Sequence, residues 1–181
     1  MANLIERMIR AAKLDIELYE EVEADTTAMP QAVAVVVLSS IAAGIGTINV
    51  TGISSIVMVT ISALIAWFVW ALLIYIIGGK IMPEPQTSTD LGELLRTIGF
   101  SSSPGMIRIL GIIPVPGLYN ILSLIAGVWM LIAMVVAVRQ ALDYKSTGRA
   151  IGVCLIGWLI QILFIMLTLA IFSNSYSGGT N

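Results

Sequence analysis

The sequence contains no histidine and a single cysteine, Cys154. The missing imidazole excludes His-based triads, imidazole metal sites and histidine acid–base catalysis. One cysteine excludes an internal disulfide and a cysteine-rich metal centre. Set among Val153, Leu155 and Ile156, it reads as a buried small hydrophobe. Charge is scarce as well: 11% of the 181 residues are charged, against about 25% in soluble domains. Hydrophobic residues make up 58% and the mean hydropathy is +0.99, the composition of an integral membrane protein. Nine Lys/Arg against eleven Asp/Glu leave a net charge of −2. That is not the basic excess of a nucleic-acid binder, and no nucleic-acid partner is expected.

The gaps between charges place the spans. Asp25 and Lys80 enclose 54 uncharged residues, Arg96 and Arg139 enclose 42 with one charge, Arg108, and 32 uncharged residues follow Arg149. A helix needs roughly 20 apolar residues to cross about 30 Å of hydrocarbon. The first gap therefore predicts two helices, over 30–48 and 54–77, with Pro30 in the first turn and Thr27 as a candidate cap. Segments 118–138 and 151–172 read as clean spans. Segment 92–113 is weaker: it contains Arg96, Ser101-Ser102-Ser103-Pro104-Gly105 and Arg108, and ends at Pro114-Val115-Pro116-Gly117. It crosses as a broken helix or re-enters and returns.

The distribution of Lys and Arg separates those alternatives. With five crossings, Arg7, Arg10, Lys13, Lys80, Arg96, Arg139, Lys145 and Arg149 all fall on one side, and the opposite side carries no charged residue. With a re-entrant third segment, Arg139, Lys145 and Arg149 move to the other face. The expected fold is an all-α polytopic membrane protein, a bundle of five transmembrane helices with the third broken or short. Residues 1–29 form a cytoplasmic amphipathic helix and acidic linker, 30–173 the membrane domain, and 174–181 a short polar external tail. The N-terminus is expected in the cytoplasm and the C-terminus outside. The first 29 residues lack an apolar h-region, so the first span reads as an uncleaved start-transfer helix.

Residues 3–23 have a helical period. Leu4, Ile5, Met8, Ile9, Ala12, Ile16, Leu18, Tyr19 and Val22 share a broad face, opposite Glu6, Arg7, Arg10, Lys13, Glu17, Glu20 and Glu21; Leu14 and Asp15 break the pattern. This predicts an amphipathic helix at the cytoplasmic interface, with Glu6 and Arg10 spaced for an i,i+4 pair. Its charge is uneven: the first half carries the three bases, and 15–25 carries six acids and no base. The acidic half is expected to face protein or water rather than anionic lipid.

Few motifs carry chemistry. Gly78-Gly79-Lys80 superficially resembles a phosphate loop, but Ile74 stands where the first glycine belongs and Ile81 where a Ser or Thr should follow. Asn49-Val50-Thr51 is an N-glycosylation sequon in a very short loop. A serine nucleophile among Ser101, Ser102 and Ser103 has no base, because Lys13, Lys80 and Lys145 lie at the cytoplasmic edge. Arg108 is the unusual residue. A charge inside a span costs roughly 2.5–3.5 kcal/mol on insertion scales and marks a functional site by default. It either snorkels to the outer interface or pairs structurally, or contacts a ligand, lipid or substrate. Arg139 and Asp143 are spaced to pair on an extending helix, and with Lys145 and Arg149 form a charged hairpin. Small residues recur four apart, at Ser40/Gly44, Ala42/Gly46 and Ser123/Gly127, which allows close helix packing. Trp67, Trp70, Trp129 and Trp158 fall inside spans, where core packing is the default reading.

Several patches coincide. Tyr19-Glu20-Glu21-Val22-Glu23-Ala24-Asp25 precedes the first span. Leu94-Leu95-Arg96-Thr97-Ile98-Gly99-Phe100 leads into the serines and Pro104-Gly105, then Ile113-Pro114. The hairpin from Arg139 to Ala150 leads into Ile151-Gly152-Val153. In this order, across five spans and roughly residues 19–172, they resemble the Yip domain family (Ypt-interacting proteins of the "Yip one" type), in particular its prokaryotic members. Eukaryotic members are implicated in Rab GTPase binding and ER–Golgi vesicle traffic. The resemblance implies the five-span architecture and a role as a membrane adaptor. A prokaryotic member would sit in the bacterial inner membrane.

The expected function is a non-enzymatic membrane scaffold, adaptor or accessory subunit. Its partners would be membrane lipid, other membrane proteins or a second copy of the chain, and no catalytic, metal or cofactor residue is assigned. Candidate lipid or partner contacts are Arg108, Ser101, Ser102, Ser103, Arg139, Asp143 and Arg149. The alternative is a small transporter or channel using the broken third span around Ser101 and Arg108. A transporter usually shows ionisable groups in several spans and internal repeats, and neither is evident here.

Overall fold

The computed structural model describes residues 3–48 and 52–177, and among them the chain is helical with no strand. The sequon at 49–51 and the end of the polar tail, 178–181, lie outside the described residues. Seven α-helices follow in order: α1 (Leu4–Ala12), α2 (Ile16–Ala24), α3 (Met29–Gly46), α4 (Ser54–Ile74), α5 (Leu91–Phe100), α6 (Leu118–Ala141) and α7 (Thr147–Ser177). A π-helical turn, Tyr75–Ile81, prolongs α4, and a 3-10 helix, Ser103–Ile112, follows α5. Among the described residues three stretches are long and apolar enough to cross a membrane, Thr26–Gly46, Ile56–Ile81 and Leu118–Ala141, and Thr147–Leu163 is a shorter apolar stretch of α7.

The third apolar segment runs from one end of the bundle to the other. At its start Asp90 caps α5 reciprocally with Glu93, and the Ser88 N–H reaches the Asp143 carboxylate at 3.3 Å, beside the α6–α7 turn. At its far end Gly111 lies against Gly46, the last residue of α3. Ten α-helical residues at 1.5 Å and ten 3-10 residues at 2.0 Å together reach about 35 Å, enough to traverse about 30 Å of hydrocarbon. Pro104 lies in the first turn of the 3-10 helix, where its missing N–H interrupts the α-helical ladder. The Ser101 and Ser103 hydroxyls donate to the carbonyls of Ile98 and Phe100, each at 2.7 Å.

The N-terminal region is two helices, not one. The chain reverses at Lys13-Leu14-Asp15, with Leu14 at φ 62° and Asp15 capping α2, so the break in the apolar pattern is a turn. The reversal brings the bases of α1 onto the acids of α2. Arg7 pairs with Glu21 and Asp25, both at 2.8 Å, and donates to Gln31. Arg10 pairs with Asp15 at 2.7 Å and Glu21 at 2.6 Å, in place of the expected Glu6. The uneven charge is therefore internally complementary. Leu18, Tyr19 and Val22 are fully buried and form a core with Ala11, Ala28, Ala32, Val35, Phe100 and Ala137. Ile5, Ile9 and Ile16 remain exposed. Arg96, itself buried, fixes the end of α2 by donating to the carbonyls of Val22 (2.9 Å) and Glu23.

Other local expectations are corrected. Asp25 takes the capping role expected of Thr27, accepting from the Thr27 N–H and hydroxyl. Among the described residues no ion pair joins Arg139 to Asp143. The helix ends at Ala141, Asp143 turns to φ 52°, and Arg139 donates to the carbonyls of Tyr144 and Lys145. Trp67 and Trp70 pack in the interior, but Trp129 and Trp158 are exposed. Trp129 donates to the Ala12 carbonyl at 2.8 Å, tying the end of α1 to α6.

Candidate functional site

Two groups of candidate residues separate in space. Arg139, Asp143 and Arg149 belong to a structural lock at one end of the bundle. The Tyr144 hydroxyl lies within hydrogen-bond distance of the carbonyls of Gly78 (3.0 Å) and Met82 (2.8 Å), its one proton directed to them. Arg149 donates to Met82 and Pro83 and lies 3.6 Å from the Glu84 carboxylate. Thr87 donates to the Leu142 carbonyl at 2.8 Å, and Gln86 to that of Asp143. Lys145, Arg149 and Arg139 thus gather with the end of the π-helical turn that carries Lys80. The Tyr144 hydroxyl is held protonated by burial.

Ser101, Ser102 and Arg108 meet instead at a cavity of about 680 Å³ between α3, α4, α6, α7 and the 3-10 helix. Ser103 is buried but does not line it. Exposed Leu124, Val128 and Trp158 form part of its wall, so the cavity opens sideways, toward the lipid-facing surface. Arg108 does not snorkel outward. Its Nε donates to the Gly105 carbonyl at 3.0 Å, and its Nη2 donates to the Ser39 hydroxyl at 2.9 Å and lies 3.8 Å from the Met130 sulfur. Nη1 makes no hydrogen bond to any described residue. Among the described lining residues Arg108 is the sole charge. Two further buried polar atoms on this wall, Trp70 Nε1 and Ser123 Oγ, have no hydrogen-bond partner among the described residues.

Close packing holds the arginine in place. A Cβ on Gly105 would overlap the Ser39 hydroxyl, and one on Gly46 would overlap the Arg108 carbonyl oxygen. The small-residue pairs Ser40/Gly44 and Ala42/Gly46 thus serve close approach, with Gly44 against Ile56. Ser123/Gly127 does not: nothing lies within 4 Å of a Cβ on Gly127, which faces the cavity. Sequence reasoning missed Ser39, Trp67 and Trp70 as cavity residues. The available signal was the Ser39-Ser40 pair, polar in the middle of an otherwise apolar span.

The helical fold, its apolar spans and this lateral cavity define an integral membrane protein. The Yip1 domain family model matches residues 19–169, and the chain belongs to that family. Comparison with curated proteins and with solved structures finds no match.

Proposed function

We propose that the chain is a non-enzymatic membrane scaffold that crosses the bilayer five times and holds a membrane lipid in its lateral cavity. The observation that carries this reading is the cavity itself. It is lined mainly by apolar side chains, opens at a lipid-exposed face, and has no nucleophile–base pair on its described walls. Lipid would fill it without a path through water. The length of α5 with the 3-10 helix supports a third crossing, and the gathering of Arg139, Lys145 and Arg149 at one end supports that end as cytoplasmic. Residues 1–29 would then lie on the cytoplasmic side, 30–173 form the membrane domain, and the chain end outside. A transporter would draw on ionisable groups from several spans, whereas one charge faces this cavity, so the scaffold reading takes precedence.

Native mass spectrometry of the full chain extracted in mild detergent tests this. Wild type should retain lipid through gentle activation, and Gly127→Phe, which fills the cavity, should lose it while keeping its helical circular dichroism. Wild type that emerges free of lipid would sink the reading.

A further inference from the structure

The cavity has a direction. At 1.5 Å per residue, Ser123 lies about 8 Å from the start of α6, Ser40 about 9 Å from the end of α3, and Gln161 about 21 Å from the start of α7. Arg108 lies about 8 Å from Ile112 at the 2.0 Å rise of a 3-10 helix. These four polar residues, with Ser39, therefore cluster in the half of the bundle toward Gly46 and Gly111, the charge-poor end. Trp67 and Trp70 lie about 20–24 Å along α4 from that end, and with Ile98 and Met134 they line the deeper half. A polar mouth thus leads into a mainly apolar shaft, with Ser101 and Ser102 on its wall, about 15 Å long, half of the 30 Å hydrocarbon and the reach of one leaflet.

The charge at the mouth is unbalanced. Arg108 has no acid among the described lining residues, and its Nη1 has no described partner. Its three oxygen contacts among the described residues are with neutral groups, the Gly105 and Ser39 carbonyls and the Ser39 hydroxyl. A guanidinium with free N–H groups is matched by an oxyanion, and the unpaired Ser123 hydroxyl on the same wall adds a donor. Trp70 Nε1, also unpaired, lies at the deep end.

Building on the lipid-holding reading, we infer that the cavity selects an anionic lipid from the leaflet at the charge-poor end, its head-group oxyanion on Arg108 and one acyl chain in the shaft toward Trp70. Phosphate and carboxylate heads share this chemistry. Neutral lipid would leave the buried charge without a counter-ion.

The test uses the full chain in nanodiscs or detergent, stripped of co-purified lipid. The probes are dioleoylphosphatidylglycerol, oleate, neutral diolein and inorganic phosphate, read by native mass spectrometry and thermal shift. Either anionic lipid should bind at least tenfold more tightly than diolein, about 1.4 kcal/mol, and the two anionic arms identify the head. Arg108→Gln should abolish that preference and leave diolein binding unchanged. The wild-type comparison needs no variant, so it decides even if Arg108→Gln does not fold. Equal retention of neutral and anionic lipid overturns the selectivity but leaves the lipid-holding reading standing. Retention of no lipid overturns both. Inorganic phosphate that matches the anionic lipids in affinity makes the ligand a soluble anion and overturns the amphiphile.

Discussion

Two glycines in helices, both in small-residue pairs four apart, should respond to alanine with opposite signs. A Cβ on Gly46 would overlap the Arg108 carbonyl oxygen and come within 3.0 Å of the Tyr119 ring. The carbonyl is backbone and cannot swing aside, so α3 and the 3-10 helix must part by roughly 1 Å, an overpacking that costs about 1–3 kcal/mol. The gain in helix propensity, at most about 1 kcal/mol in a helix interior, is smaller at this terminal position. At about 2–4 °C per kcal/mol for a chain of this size, Gly46→Ala should lower Tm by about 2–12 °C, less the small propensity gain. Gly127→Ala meets nothing within 4 Å. Only the propensity gain of about 0.5–1 kcal/mol remains, so its Tm should rise by a few degrees. The assay is thermal unfolding by circular dichroism in delipidated detergent, both variants beside wild type. A Gly46→Ala protein as stable as wild type would refute the close approach of α3 to the third segment. A Gly127→Ala protein that melts early would mean that protein, not open space, faces that position.

The docking of the N-terminal hairpin should depend on its buried residues rather than its exposed isoleucines. Leu18→Ala with Tyr19→Ala, each a loss of about 2–5 kcal/mol, should release residues 1–25 to protease, while Ser at Ile5, Ile9 and Ile16 should not; the reverse pattern would favour a helix held by lipid alone. The same hairpin should respond to pH. Burial, and then Asp143, Glu93 and Glu20, raise the Glu23 carboxyl to about 8, so its contribution is full below the ordinary value of 4.5 and is lost as pH rises through 8. The Thr27 hydroxyl, and then Arg7, hold Asp25 near 2, so its contribution is lost only as pH falls from about 4 through 2. Tm should therefore fall from about pH 4.5 to about pH 8 and level off above that, and Glu23→Gln should flatten that limb; an unchanged slope in the variant would assign the pH dependence elsewhere. For topology, in a Cys154→Ser background, Lys80→Cys and Lys145→Cys should react with impermeant reagent from one face and Val115→Cys from the other. Labelling of 80 and 145 from opposite faces would exclude five crossings.

The parts of this fold that follow from local rules were legible. Absence of charge over long runs located the apolar helices, and the 3.6-residue period located the amphipathic N-terminus. The break at Leu14 and Asp15 was visible as two residues out of phase, although its consequence was not. Whether a broken period is a kink or a reversal depends on what the two halves meet. Here the meeting of Arg7 and Arg10 with Glu21 and Asp25 is a contact across the turn that spacing along one helix cannot express. The pairing expected between Arg139 and Asp143 failed for a related reason. It assumed that α6 continues, and the chain leaves the helix at Ala141 so that Tyr144 can seal the π-helical turn. Of the cavity, Arg108 and the serines beside it were legible because polar residues in a span are rare. Ser39 was not: the Ser39-Ser40 pair was visible in the sequence, but nothing pointed to a guanidinium packed against it.

The change of helix type in the third segment explains why Arg108 points inward. In a 3-10 helix side chains three apart are eclipsed, so Gly105, Arg108 and Gly111 fall on one line. That line faces α3: Gly105 abuts Ser39, and Gly111 abuts Gly46. The two glycines bring the backbones together on either side of the arginine, which leaves Arg108 in contact with Ser39 and turned toward Met130. In an α-helix each step of three residues falls about 60° short of a full turn, and the same residues would spread across about 120°. Arg108 and both glycines would then not face α3 together. Pro104, by breaking the ladder at the first turn of the segment, favours the conformation that keeps the three residues in register. The proline, the glycine spacing and the buried charge are thus one device, and the cavity is where Arg108 is exposed.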